Sequence, residues 1–88
     1  MIYSSKDGDI KLEGLKRLYP AVLVRMNQDE AEMSLEWCEL YGEKVEILSY
    51  ILVFDYTPQG ENLKDRVVLR FASQDELIDA MNEVARFF

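Results

Sequence analysis

The chain has 88 residues, 17 of them acidic and 10 basic, with no histidine, one cysteine and a formal charge of -7. That length holds a single domain, 1–88, around one core, and the hydrophobic fraction of 49% is that of a globular protein. Without histidine there is no Ser-His-Asp or Cys-His catalysis and no His-bearing zinc site, and the lone Cys38 forms neither an internal disulfide nor a CxxC redox pair.

Met1 to Ser4 reads as an edge strand, and the residues after it lack the apolar run of a signal peptide. From Asp9 to Tyr19, Leu12, Leu15, Leu18 and Tyr19 suit a short helix, weakened by Gly14 by about 1 kcal/mol relative to alanine. The rival is a hairpin turning at Asp7-Gly8 with Ile10 and Leu12 in a strand. Ala21 to Met26, just after Pro20, is a strand.

Residues 28–41 carry two patterns. As a helix capped by Asn27, they place Ala31, Met33, Leu35, Trp37, Cys38, Leu40 and Tyr41 on one broad inward face. Gln28, Asp29, Glu32, Glu36, Glu39 and Glu43 then crowd the other, and Gly42 is the stop. As a strand, Met33, Leu35 and Trp37 alternate with Glu32, Ser34 and Glu36 until Cys38-Glu39-Leu40 breaks the period. The abundance of Ala, Met, Leu and Glu favours the helix.

Lys44 to Tyr56 is a long strand whose two faces both become apolar from Leu48 onward, with Tyr50, Leu52 and Phe54 opposing Ile51 and Val53. Thr57-Pro58-Gln59-Gly60 begins a turn. Arg66 to Phe71 alternates as a half-buried strand, with Val67, Leu69 and Phe71 on one face. Ser73-Gln74-Asp75-Glu76 is a capping box opening a helix over 74–88, along which Leu77, Met81, Val84 and Phe88 form a stripe.

These elements predict an α+β two-layer sandwich, a mainly antiparallel sheet of three to four strands with two to three helices. If 28–41 is extended, the alternative is a four-stranded antiparallel meander with helices at its ends.

Charge is uneven along the chain. Residues 1–26 sum to +2, residues 27–62 to -8 and residues 63–88 to -1. A nucleic-acid backbone repels such a middle section, so no nucleic-acid partner is expected. The longest apolar run, Tyr50 to Phe54, falls far short of the ~20 residues that span a bilayer, so no membrane partner is expected either. With a single cysteine, the expected compartment is the cytoplasm.

Two sets of residues are candidate partner-binding groups. Glu32, Glu36, Glu39 and Glu43 share one face of the expected helix, where they would meet a basic protein surface, hold a hard cation or simply be solvated. Tyr50, Leu52 and Phe54 share one face of the long strand, as core beneath a helix or as a dimer seam. Cys38 reads as a buried, inert thiol on the apolar flank of the expected helix. No catalytic residue, metal ligand or cofactor is expected. The sequence reading is a non-enzymatic protein-interaction module, with self-association into a homodimer as one form. The alternatives are an acidic inhibitor or nucleic-acid mimic that occupies a basic protein site, and a small carboxylate-based or metal-dependent enzyme.

Overall fold

The chain begins as a hairpin. In the computed structural model, which describes residues 1–58, 60 and 65–88, β1 (Ile2–Ser5) pairs antiparallel with β2 (Gly8–Lys11). Ser5 lies opposite Gly8 across the Lys6-Asp7 turn, and Gly8 takes a φ of +123° that side chains bearing a Cβ avoid. The hairpin reading therefore replaces the expected helix over 9–19. Exposed Asp9, Lys11 and Glu13 alternate with buried Ile10 and Leu12, and this period of two outweighs the leucine spacing that suggested a helix.

β3 (Arg17–Met26) starts earlier than expected and runs through Pro20. Proline fits there because Pro20 pairs only with the strand on one side, opposite Leu52; the neighbour on the other side reaches no further than Val22. The chain then reverses through Asn27 and Gln28, whose φ values of +50° and +75° are the two positive angles of a type I′ hairpin turn. β4 (Asp29–Met33) follows, antiparallel to β3.

Here the structure corrects the sequence reading of 28–41. That stretch is a strand followed by a short helix, α1 (Leu35–Tyr41), whose cap is Ser34 and not Asn27. Asparagine tolerates the left-handed region, and the turn it makes lays Ala31 and Met33 opposite Val24 and Val22, a pairing that outweighs helix propensity. Gln28 holds the second left-handed position, where a non-glycine residue costs about 1–2 kcal/mol. Gln28→Gly removes that cost against about 0.5–1 kcal/mol of added backbone entropy. The expected result is a net gain of about 0.5–1 kcal/mol, read as a melting temperature higher by about 2–8 °C.

After a 3-10 turn at Gly42–Lys44 come β5 (Glu46–Asp55), β6 (Arg66–Phe71) and α2 (Gln74–Ala85). Gln59 of the expected turn lies outside the described residues. The Ser73 hydroxyl accepts from the Glu76 N–H at 3.2 Å, and the Glu76 carboxylate reaches back to the Ala72 N–H at 3.1 Å. The capping box is thus realised, closing one residue upstream of the usual position.

Among the described residues the protein is an α+β fold of six strands in two antiparallel sheets, with two helices. The larger sheet has the order β4-β3-β5-β6, the four-stranded sheet of the second sequence reading. Both β4 and β5 are antiparallel to β3 and so run parallel to each other, with α1 carrying the chain across β3. α2 and the β1–β2 hairpin cover one face. There Leu52, Phe54, Leu69 and Phe71 of the sheet meet Leu77, Ala80 and Val84 of α2 and Tyr3, Ile10 and Leu12 of the hairpin region. A smaller cluster on the other face joins Ala21, Ile51 and Val53, with Tyr19 and Val68 packed against it. β5 is buried on both faces from Ile51 to Asp55, as expected of a central strand.

A candidate interaction surface on the first helix

α1 is short and lies shallow on the sheet. Ser34 accepts from the Trp37 N–H at 3.0 Å to cap it, and the Gly42 N–H closes it on the Cys38 carbonyl. A side chain at Gly42 would bring its Cβ to 3.0 Å from the Cys38 sulfur, so glycine lets the 3-10 turn fold tightly against the helix. At roughly 100° per residue, Leu35 and Cys38 face the sheet, yet no residue of α1 is fully buried. Cys38 is half-buried, less enclosed than the sequence suggested.

The outward side combines two kinds of residue. Leu40 is 74% exposed and Tyr41 46%, and Tyr41 lies against Trp37 with ring centroids 5.4 Å apart. Ile47, at the start of β5, is 37% exposed and lies by Gly42 and Cys38, on the other side of the helix. The sequence pattern had turned Trp37, Leu40 and Tyr41 inward; with the helix beginning at Leu35, Leu40 and Tyr41 are exposed and Trp37 stays half-buried. Glu36 and Glu39 on α1 and Glu43 in the following turn border this apolar area, and none of the three forms an ion pair among the described residues. They share a side without converging, and no metal-holding group of acids or cysteine occurs among the described residues.

Glu32 is separated from the other three. It sits on β4 at one edge of the sheet and meets Arg66 of β6, the opposite edge strand, at 2.5 Å. Three strand spacings, about 14 Å, and a six-residue offset along the strands, about 20 Å, would hold the two positions about 24 Å apart in a flat sheet, so the sheet is strongly coiled to bring the pair together. The bond to Glu32 holds the Arg66 guanidinium further into its charged form.

The second candidate set also divides. Leu52 and Phe54 are fully buried within the main core cluster, so they are core residues and present nothing to a partner. Tyr50 is half-buried and lines a shallow cleft between α1 and the start of α2, with Leu35, Cys38 and Gln74.

Like Arg66, the groups of Asp55, Tyr3 and Tyr56 are held away from their usual ranges, all in directions that fix their ordinary charge at neutral pH. The Thr57 backbone N–H, at 2.9 Å, and then the Arg17 guanidinium, also at 2.9 Å, hold the Asp55 carboxyl down at about 2. Burial, then the hydrogen bond to Glu83 at 2.9 Å and the charge of that carboxylate, push the Tyr3 phenol up to about 12. Each therefore anchors structure, whereas proton transfer at neutral pH calls for a group titrating near 7.

No helix among the described residues is long and apolar enough to cross a membrane. Comparison with protein-family models, curated proteins and solved structures finds no match to this chain.

Proposed function

We propose that the chain is a non-enzymatic protein-interaction module whose α1 surface docks a basic partner. The observation that carries this reading is the exposed Leu40 and Tyr41, with the Tyr41 ring tilted against Trp37 and Glu36, Glu39 and Glu43 alongside. Protein interfaces combine a desolvated aromatic and aliphatic centre with a charged rim that steers the approach. The rim is acidic within a section of charge -8, so the complementary surface carries lysine or arginine around an apolar tip. A second copy of the chain would set these carboxylates against themselves, which disfavours self-association through this face.

Trp37 is the only tryptophan and reports on the surface directly. The test titrates the protein with a synthetic amphipathic helix bearing a leucine stripe flanked by lysines, and with its glutamate-flanked counterpart. The lysine peptide is expected to shift Trp37 emission, and the shift weakens as salt rises. Leu40→Ser is expected to weaken binding about tenfold, and the glutamate peptide to leave the emission unchanged. Equal responses to the two peptides, or full-strength binding by Leu40→Ser, would refute the reading. Dimers at micromolar concentration in sedimentation equilibrium that disappear in Leu40→Ser would transfer the surface to self-association.

A further inference from the structure

The larger sheet ends in β4 on one side and β6 on the other, and among the described residues neither has a strand on its outer edge. Open edges invite pairing by another chain, and native proteins guard them with charge. β4 is guarded along its length by Asp29, Glu30 and Glu32. β6 carries Val67, Val68 and Leu69 at its centre between Arg66 and Arg70, and Lys6 of the hairpin covers one end.

Lys6 also gives the polarity of that edge. Its Nζ donates to the Arg70 carbonyl oxygen and lies 4.3 Å from the centre of the Phe71 ring. The Arg70 carbonyl therefore faces outward, and the alternation of an antiparallel ladder turns the N–H and C=O of Val68 outward with it. The two flanks of the edge differ in charge. On the α2 side a cleft of about 390 Å³ holds Glu76, Asp79 and Glu83. On the other side stands exposed Arg70, with Arg66 further along.

The geometry points to β6 as a docking edge for an extended segment of another protein, one whose side chains alternate between basic and acidic. Added as a further strand, such a segment takes its main-chain bonds from Val68 and Arg70. It sends its lysines or arginines into the α2 cleft and its carboxylates toward Arg70. The Lys6 ammonium, on a carbonyl oxygen and over an aromatic ring, occupies the position of the first incoming basic side chain, and the partner displaces it. This site is separate from the α1 surface and stands or falls independently of it.

The test uses the full chain and two ten-residue peptides of identical composition, one alternating Lys and Glu and one with the lysines and glutamates in separate blocks. The alternating peptide is expected to slow hydrogen exchange at the Val68 and Arg70 amides about tenfold, and the block peptide to leave them unchanged. Val68→Pro removes an outward donor that the sheet itself does not use and is expected to weaken binding about tenfold. Asp79→Lys, on the exposed side of α2, weakens it without touching the strand, and Lys6→Ala strengthens it by clearing the carbonyl. Equal binding of the two peptides, or unaltered affinity in both Val68→Pro and Asp79→Lys, overturns the proposal. So does protection of Val68 and Arg70 that rises with protein concentration in the absence of peptide, which would mark a second copy as the occupant.

Discussion

Phe54→Ala is expected to destabilise the protein by about 3–5 kcal/mol, while Leu40→Ser leaves the denaturation midpoint within about 0.5 kcal/mol of the parent. Phe54 is fully enclosed on β5 and stacks near Tyr3, with centroids 6.3 Å apart. Around it lie the sheet, α2 and the hairpin, so truncation opens a void that three elements must close together. A domain of this length has only about 4–13 kcal/mol in hand, and Phe54→Ala therefore removes a large share of it. Leu40 projects from a helix with no fully buried residue, and its loss leaves the core intact. Urea denaturation of the two variants checks this. A Leu40→Ser midpoint as low as that of Phe54→Ala would mean that α1 is part of the core after all.

Raising the pH above 10 is expected to weaken the fold through Tyr3. A phenol whose folded pKa is about 12, against about 10 in the unfolded chain, contributes stability that is complete below pH 10. That contribution is lost as the pH climbs from 10 through 12. With the shift moderated by the solvent reaching Glu83, the loss is of order 1–2 kcal/mol. Tyr56 titrates with the same sign, because burial and then Asp65 raise its pKa. Tyr3→Phe keeps the ring on Phe54 and Phe87 and removes the ionisable group. Its stability is expected to fall less between pH 9 and 11 than that of the parent, measured by urea melts at each pH. Parallel curves for the two proteins would show that Glu83 does not couple to the phenol.

The elements that the sequence displayed most clearly are those whose local chemistry and burial agree. Ser73 and Glu76 mark the start of α2, and Leu77, Met81 and Val84 of its stripe meet the core, although the helix ends at Ala85 and leaves Phe88 exposed; the doubly apolar run in β5 is central as its composition requires. Failures came where a short-range pattern was overruled by a partner distant in sequence. The residues of β4 are good helix formers, but Asn27-Gln28 can turn left-handed, and Val22 and Val24 offer a ladder that helical residues would leave unmatched. The hairpin at the N-terminus depended in the same way on Gly8 and on Tyr3 facing Ile10. For the interaction surface, composition pointed to Glu36, Glu39 and Glu43 but also drew in Glu32, because one continuous helix was assumed. The exposure of Leu40 and Tyr41 was hidden for the same reason. Moving the helix start to Leu35 changes which side meets the sheet, and Ser34, a strong capping residue directly before Leu35, was the available signal.

The passage of α1 across β3 has a consequence for how the molecule assembles. β3 gains β4 through the tight reversal at Asn27-Gln28, a local event of microseconds. Its other flank waits for β5, which arrives only after the chain has travelled over the top. In that interval the strand carrying Val22 and Val24 has one naked side, and neighbouring molecules compete for it. Pro20 withholds a donor only on the flank away from β5, past the end of β4, so on the open flank nothing but the arrival of β5 itself closes the window for intermolecular pairing.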